Sequence, residues 1–352
     1  MFECLLLQAE GLFNSAIFAS DGHVLTGRVF SEGEGYQALL LDERRRIAFL
    51  IGDKRDESLY SVKKCGGNYV AAGHSGERSL LLIYNSTSGV ISSFLGPEGI
   101  LWQVSCEYAV GGLRENLWRL FIVEVAKRRG RAYSADNNIY AYSLAGTGGG
   151  YVVVGRVGEE GKYDGFILWT DPYMKPLKAI RSGWKENDYL RYTNGRWAAG
   201  RMEIGGDSEG FLVKLAGLES ILYKRPGFDY FRFVSSDGLF IAGEGDGQNQ
   251  VRKALLVHNR HGSLLGEGFS AVRFYDERSM NAYGYVYKEW RAYAFRLRHS
   301  HVESGFNYLT EHKPLKWKSL KLSAKRGSLE LREQNFPVSE VAYTWEECGK
   351  LP

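Results

Sequence analysis

The sequence predicts an all-β fold, a seven-bladed β-propeller of four-stranded antiparallel blades, and three observations predict it. A pattern of an Asn/Asp-Gly or Gly-Gly turn, a few apolar residues and a glycine recurs seven times, about 43 residues apart, a spacing typical of one propeller blade. The segments between are short, rich in β-branched and aromatic residues, and bounded by Gly, Asn and Asp. Apolar residues are nowhere sustained at the i, i+3, i+4 spacing of a helix.

Each repeat predicts four strands in the same order. In the fourth repeat the segments are IYAYS, GGYVVVG, DGFILWTD and PLKAIR, with a tight turn or polar loop between successive strands. One four-stranded sheet cannot bury both faces alone, so radial packing of the blades is expected to cover them. The glycines that end the recurring pattern, here called the anchor glycines, are Gly27, Gly73, Gly112, Gly155, Gly200, Gly243 and Gly284.

The segment GGGYVVVGRVGEEGKYDGFILWTD (148–171) resembles the Gly-rich repeats of bacterial and archaeal β-propeller proteins, and its layout is similar to kelch and WD-repeat blades. It departs from WD repeats in lacking Gly-His and Trp-Asp dipeptides. The chain also lacks the Ser-x-Asp-x-Gly-x-Thr-Trp box of sialidase-type propellers. The resemblance implies a fold that hosts binding scaffolds and enzymes alike.

The ends of the chain fall outside the seven repeats. The N-terminal FECLLLQ predicts a strand that completes the last blade, so that residues 1–309 form the propeller. Residues 310–352 predict a basic, β-rich tail that packs on the ring or closes it. In the alternative arrangement, three tail stretches join FECLLLQ as a degenerate eighth blade.

The composition excludes several classes of protein. With 44% hydrophobic residues the chain can build a packed core, so disorder is excluded for most of its length. No apolar run of about 18 residues could span a membrane. The N-terminus lacks a basic start and carries an acidic residue at position 3, which argues against a signal peptide and favours the cytoplasm. The low Gln and Met content fits a hyperthermophilic source.

Four cysteines allow three pairings, which spacing alone cannot distinguish. Cys4 and Cys348 would meet if the chain ends meet, and Cys65 and Cys106 end equivalent strands of adjacent repeats. Disulfides are therefore conceivable at both pairs, although free thiols are favoured in an ordinary cytosol. No Cys-x-x-Cys pair is present, so no zinc site is expected, and neither another metal site nor a cofactor is predicted.

Arginines recur at matching positions of the first strands. Aligning those strands gives Asn14, Ser61, Gln103, Ala141, Arg191, Arg232 and Arg273, with the three arginines side by side on repeats five to seven. Arg156 and Arg201 follow anchor glycines and are expected at the same channel mouth. Guanidinium groups bind carboxylate or phosphate in bidentate fashion, which predicts an anionic-ligand site. In the alternative, each arginine pairs with a loop carboxylate such as Glu203 or Glu244.

Exposed basic loops predict a second charged surface on the opposite face. Its loops between third and fourth strands include DERRR (42–46) and AKRRGR (126–131), and the tail adds further lysines. One-sided clusters of Lys and Arg suggest binding to nucleic acid or an acidic protein. No alternation of aromatic and basic residues supports base stacking there. The residues assigned to this face are Arg44, Arg45, Arg128, Arg129 and Arg131.

No catalytic motif accompanies these features: Gly-x-Ser-x-Gly, His-Glu-x-x-His and the P-loop are all missing, and no catalytic residue is assigned. We therefore expect a non-catalytic scaffold that contacts a protein partner through its faces and channel mouth. The alternatives are a nucleic-acid-associated protein that uses the basic face and an enzyme acting on an anionic small molecule at the mouth.

Overall fold

The computed structural model describes residues 2–184, 186–246, 252–265, 270–276, 281–288, 291–298, 306–324, 327 and 329–348. Strands dominate these ranges and no α-helix occurs in them, so the all-β prediction is confirmed. The strands form seven consecutive antiparallel units followed by a tail. Residues 299–301, 325 and 326 of the predicted basic face lie outside the described residues.

The first three units run as follows. The first contains β2 (Leu12–Asp21), β3 (Val24–Ser31), β4 (Gly35–Asp42) and β5 (Ile47–Ile51). The second contains β6 (Glu57–Cys65), β7 (Asn68–Ser75), β8 (Arg78–Asn85) and the first part of β9 (Ile91–Val104). The third contains the rest of β9, β10 (Tyr108–Arg114), β11 (Trp118–Glu124) and β12 (Arg129–Ser134).

The remaining units repeat this order. The fourth has β13 (Asn138–Thr147), β14 (Gly150–Glu159), β15 (Lys162–Thr170) and β16 (Pro176–Arg181). The fifth has β17 (Asp188–Thr193), β18 (Trp197–Ile204), β19 (Asp207–Lys214) and β20 (Glu219–Lys224). The sixth has β21 (Asp229–Val234), β22 (Phe240–Asp246), β23 (Arg252–His258) and β24 (His261–Leu265). The seventh has β25 (Ser270–Asp276), β26 (Asn281–Lys288), β27 (Arg291–Arg298) and β1 (Phe2–Leu7).

The tail adds short strands to the outer edges of the units. They are β28 (Phe306–Asn307), β29 (Leu309–His312), β30 (Lys318–Ser319), β31 (Ser323–Ala324), β32 (Leu329–Glu330), β33 (Arg332–Glu333) and β34 (Val338–Glu347). They pair in turn with β24, β20, β16, β12, β12, β9 and β5, so the tail passes the units in reverse order.

The hydrogen-bonded sheets differ from separate four-stranded blades. They contain nine, ten, five, five and five strands. One reason is that β9 pairs with β8 through its first part and with β10 from Gly99 onwards, which joins two units in one sheet. The other reason is that tail strands extend each sheet at its outer edge, and β34 bridges β5 and β1.

The tail does not build an eighth unit. Its three predicted β stretches pair with different sheets, and only β34 lies beside β1. The seventh repeat also contains FNYL (306–309), a weak strand expected to follow its third, but β28 within this segment pairs with β24 of the sixth unit. The fourth place in the seventh unit belongs to β1, which pairs antiparallel with β27.

Apolar side chains of the described residues form seven clusters, each between two successive units. One of them joins Tyr283 and Ala294 of the seventh unit to Ile17 and Leu25 of the first. The order of packing therefore returns to its starting unit. In β4, Leu40 points into the cluster shared with the second unit, whereas its neighbour Leu39 points into the cluster shared with the seventh. Both faces of such strands are buried, which explains their continuous apolar sequence.

Polar side chains near the start of the first strand of a unit form hydrogen bonds with the unit before it. Asp188 Oδ1 accepts from the Gly165 amide at 2.5 Å, and Ser270 Oγ accepts from the Ala254 amide at 2.8 Å. The same kind of contact joins the first unit to the seventh, where Ser15 Oγ accepts from the amide of Ala294 at 2.9 Å. These side chains bind third-strand amides, which satisfies buried backbone donors at the seams.

Candidate ligand-binding cavity

A β-bulge recurs in the first strand of every unit, opposite a glycine of the second strand. In the fifth unit Gly200 pairs with Leu190 and Ala199 pairs with Tyr192, so Arg191 is the extra residue. A Cβ added to Gly200 would lie 1.9 Å from the Tyr189 carbonyl oxygen, so only glycine permits this close approach. The corresponding distance at the seven anchor positions is 1.8–2.1 Å. In the third unit the anchor is Gly111, and the predicted Gly112 lies one residue further on.

The seven bulge residues form what we call the bulge ring. A bulged residue is left out of the ladder and its side chain is re-aimed, which is why bulges often border sites. The ring differs from the predicted alignment in its first four members, which lie one residue from the predicted position in the second, third and fourth units and four residues from Asn14 in the first. Its members are Phe18, Tyr60, Trp102, Tyr142, Arg191, Arg232 and Arg273.

The bulge ring lines a cavity of about 770 Å³ where the first strands of all seven units converge. All seven ring side chains are half-buried and border the cavity. The positions Asn14 and Gln103 of the predicted alignment also reach the lining, whereas Ser61 and Ala141 do not. The cavity volume falls within the range of small-molecule sites.

One half of the bulge ring is aromatic and its members touch in sequence. The ring centroids of Phe18 and Tyr60 are 5.3 Å apart, and those of Tyr60 and Trp102 are 4.4 Å apart. Trp102 and Tyr142 meet edge to face at 5.7 Å. Tyr60 also stacks on His74, whose pKa burial lowers. This wall offers an apolar, π-rich surface to the cavity.

The other half is cationic, and two of its three arginines have polar partners. Arg232 Nη2 donates to Glu244 Oε1 at 2.5 Å, and Arg273 Nη2 donates to the Tyr285 hydroxyl at 2.6 Å. Burial opposes ionisation of Glu244, but the charges of Arg232 and Arg273 outweigh it and lower the pKa of Glu244 to about 2. The Nε atom of Arg273 is buried and has no hydrogen-bond partner among the described residues.

Arg191 differs from its two neighbours. Among the described residues it forms neither an ion pair nor a hydrogen bond, and its guanidinium lies over Tyr142 and Trp102 at 4.3 and 4.5 Å from the ring centroids. Burial lowers the pKa of Arg191, and the charges of Arg232 and Arg273 act in the same direction. The position that carries the compensating Glu244 in the sixth unit carries another cation, Arg201, in the fifth.

The cavity carries an excess of positive charge. Its described lining includes five cationic side chains and two carboxylates, and one of those carboxylates, Asp21, pairs with Lys63 at 3.2 Å. Besides Lys63, Arg28 is a lining cation that is not among the five arginines predicted for the ligand site. Its guanidinium lies over Tyr36 at 4.2 Å and over Phe18 at 5.8 Å.

Two of the five predicted ligand-binding arginines do not line this cavity. Arg156 lies over Tyr163 at 4.2 Å and over Tyr140 at 4.6 Å. Arg201 pairs with Glu203 at 3.2 Å and borders a separate, smaller pocket of about 560 Å³. Of the four residues named here that follow an anchor glycine, Arg28 and Tyr285 line the cavity, whereas Arg156 and Arg201 do not.

The assigned basic-face arginines are exposed: Arg44, Arg45 and Arg128 lie in two turns, and Arg129 and Arg131 lie in β12. Arg44 and Arg45 lie between β4 and β5, where their amides donate to Asp42. In the second turn Arg128 lies over Phe94 at 4.1 Å, and Arg129 approaches Glu330 of the tail at 3.5 Å. Arg131 follows in β12. The structure brings Arg128 and Arg129 into contact with neighbouring groups and leaves the others at the surface.

The structure joins both cysteine pairs, in place of the free thiols that the sequence favours. Cys4 is bonded to Cys348 and Cys65 to Cys106, with Cα–Cα distances of 5.0 and 5.4 Å. Pairing of β1 with β34 places the first two side by side. Packing of the second unit against the third brings the other two together.

Neither a metal-binding cluster nor a membrane-spanning helix is found among the described residues. No group of three or more His, Cys, Asp or Glu side chains in these ranges is arranged to hold a metal ion. No helix long and apolar enough to cross a membrane is found in the described part of the chain.

The comparisons with known proteins add one relative. No family model matches the chain. The chain is similar to a protein of Aquifex aeolicus (strain VF5) described as an uncharacterized protein, with 27% identity over 304 residues. The match covers 80% of this chain and 87% of the relative.

Proposed function

We propose that the chain is a non-catalytic binding scaffold, built as a seven-bladed β-propeller, that contacts a protein partner by holding an anionic group of it in the central cavity. The observation that carries this proposal is the bulge ring, which directs three arginines into one cavity and leaves Arg191 without a polar partner among the described residues. An unpaired guanidinium in a partly buried site favours a bound carboxylate or phosphate.

The propeller interpretation is supported by the seven units and by their cyclic order of packing. Seven seams of buried apolar residues and seven glycine-anchored bulges repeat the same local design. Tail strands and the continuous β9 account for sheets larger than four strands.

The ionisable groups of the cavity favour binding over catalysis. General acid–base catalysis needs a group whose pKa lies near the working pH and that reaches the substrate. Glu244, which binds Arg232 but is not itself in the lining, is held ionised by arginines, and Asp21, one of the two lining carboxylates, pairs with Lys63. We propose the cytoplasm as the compartment, which two disulfides fit in organisms of hyperthermophilic type.

A binding measurement with a matched pair of variants tests the proposal. The probe is a fluorescent peptide rich in glutamate, and the same peptide with glutamine is the neutral control. Arg191→Gln should weaken binding of the acidic peptide about tenfold or more, because a buried charge-assisted contact is lost. Arg131→Gln, at an exposed arginine outside the cavity, should leave binding unchanged.

The nucleic-acid alternative is tested in the same assay with labelled duplex DNA. Binding of DNA that weakens steeply with salt and is lost in Arg44→Gln/Arg45→Gln, but not in Arg191→Gln, would favour the basic face. Equal binding of the acidic and neutral peptides by wild type and Arg191→Gln would rule out the cavity proposal.

A further inference from the structure

The two halves of the bulge ring differ chemically, and this difference constrains the ligand beyond its charge. Phe18, Tyr60, Trp102 and Tyr142 are contributed by the first four units, and the arginines by the last three. A phosphate or a small aliphatic acid would use only the cationic half. A ligand that uses both halves needs an anionic group and a flat apolar body within one cavity.

The anionic group and the apolar body of such a ligand would meet at the junction between the cationic and aromatic halves of the bulge ring. Arg191 lies over Trp102 and Tyr142, so its guanidinium face is already covered by aromatic rings. Its N–H groups form no hydrogen bond within the described chain, and the buried Nε of Arg273 has no partner either. A carboxylate is planar and accepts from such forks in the plane of the guanidinium, which leaves the aromatic side chains beside Arg191 to border the rest of the ligand.

The size of the cavity limits the rest of the ligand. About 770 Å³ accommodates a molecule of small-ligand size or the end of a polypeptide. We propose that the bulge ring binds an aromatic carboxylate, with the carboxylate held by Arg191 and Arg273 and the aromatic group packed against Trp102 and Tyr142. This inference rests on the proposed function, since it names the ligand class of the same cavity.

Two sources could supply this chemistry, a free aromatic acid or the C-terminal aromatic residue of a partner polypeptide. In the first the carboxylate and the ring belong to one small molecule. In the second the chain-terminal carboxylate and the last side chain supply them. The chemistry at the bulge ring is the same, so the probes below separate the sources.

Calorimetric titration with a matched set of compounds tests the inference. The probes are N-acetyl-phenylalanine, its amide, N-acetyl-leucine, inorganic phosphate, and a glycine-rich hexapeptide that ends in phenylalanine with a free carboxyl group. We expect N-acetyl-phenylalanine to bind about tenfold or more tightly than its amide, N-acetyl-leucine and phosphate. A hexapeptide that binds more tightly than the free acid supports a polypeptide end, and a weaker hexapeptide supports a free acid.

Variants assign the binding to the two halves of the ring. Arg191→Gln and Trp102→Leu should each weaken the binding of N-acetyl-phenylalanine about tenfold. Trp102→Phe should retain most of the affinity because it keeps an aromatic side chain at this position. Circular dichroism of each variant checks that its fold is intact. If Trp102→Leu does not fold, the comparison of phenylalanine with leucine probes still decides the aromatic preference.

The outcomes separate the inference from the function on which it rests. If N-acetyl-leucine or phosphate binds as well as N-acetyl-phenylalanine and depends on Arg191, the aromatic preference is overturned and an anion-binding cavity remains. If none of the anions or the acidic peptide binds, both proposals fail.

Discussion

At the scale of single residues, the anchor glycines decide what reaches the cavity. Each lets a first-strand carbonyl come so close that the next residues bulge, and the bulge presents one side chain per unit to the cavity. The set of side chains that line the cavity therefore depends on glycines, which have no side chain of their own.

Gly200→Ala tests this dependence. The new Cβ would meet the Tyr189 carbonyl oxygen at 1.9 Å, so β17 and β18 must separate or the bulge must move. We expect the free energy of unfolding to fall by about 3 kcal/mol or more, since forced backbone strain is among the larger single-residue effects. Denaturant unfolding measures it.

Gly67→Ala is the matched control for that substitution. An added Cβ there meets nothing within 4 Å, so the stability should change by less than about 0.5 kcal/mol. A Gly200→Ala protein as stable as the Gly67→Ala protein would show that the first strand can shift without cost, contrary to the role given to the anchor glycines.

Asp188 makes the fold sensitive to pH. Burial raises the pKa of this carboxyl to about 7, although Ser182 and the Gly165 amide donate to it. A carboxyl whose pKa is higher in the folded than in the unfolded state stabilises the fold fully below about pH 4. That contribution is lost as the pH rises through 7. Burial also raises the pKa of Glu57 to about 7, so part of the dependence has a second source.

Asp188→Asn should therefore flatten the decline of stability with pH. Asparagine keeps an acceptor for the Gly165 amide and does not ionise. We expect the melting temperature of the variant, relative to wild type, to rise steadily from pH 4 to pH 8 as measured by calorimetry. A constant difference across that range would mean that Asp188 is ionised throughout.

The sequence predicted three members of the bulge ring and misplaced four. Arg191, Arg232 and Arg273 share one position because their neighbours align without ambiguity. In the first four units polar and aromatic residues alternate, so a shift of one residue exchanges Ser61 for Tyr60 or Gln103 for Trp102. A bulge is a local change in pairing, and spacing between repeats does not reveal it.

At the scale of elements, the regular strands and the β stretches of the tail were predictable, but the pairing of the tail strands was not. Strands buried on both faces need continuous apolar residues, which is a strong signal in segments such as YQALLLD. Apart from β34, the tail pairs through pieces of two to four residues, such as β30 and β33, which are too short to show a period. Its attachment depends on single side chains instead.

Leu331→Ala tests whether the tail is part of the core. Leu331 is 5% exposed and packs into the cluster between the second and third units, and its amide donates to the Arg128 carbonyl. We expect a loss of about 2–4 kcal/mol in the free energy of unfolding, as for other buried leucines.

Leu309→Ala provides the comparison within the same tail. Leu309 is 77% exposed, so truncating it should cost less than about 0.5 kcal/mol. Equal losses for the two leucines in chemical unfolding would contradict the difference in packing.

At the scale of the whole molecule, the N-terminal and C-terminal strands join the seventh unit to the first. β1 completes the seventh unit, β34 bridges β1 to β5 of the first, and Cys4–Cys348 lies at that junction. The sequence predicted that the ends meet, since both arrangements considered for the terminal segments require it. It did not predict the reversed path of the tail, since that path depends on which outer edges remain unpaired.

Removing each disulfide in turn should show that the two are unequal. The Cys4–Cys348 bridge spans 344 residues and the Cys65–Cys106 bridge spans 41. Because the entropy lost by the unfolded chain grows with the logarithm of loop length, Cys348→Ala should cost about 2 kcal/mol more than Cys106→Ala. Unfolding under non-reducing conditions, with mass spectrometry to verify the remaining bridge, gives the comparison. A larger loss for Cys106→Ala would indicate that native packing rather than chain entropy sets the effect.

The Cys4–Cys348 bridge also changes the connectivity of the molecule. With this bond in place, the polypeptide from one cysteine to the other is a covalent circle. A single protease cut in an exposed turn, such as the one at Gly148 and Gly149, leaves two fragments that remain one molecule. Because β1 and β34 lie side by side, a linker between them would give a circular permutant with new termini opened at that turn.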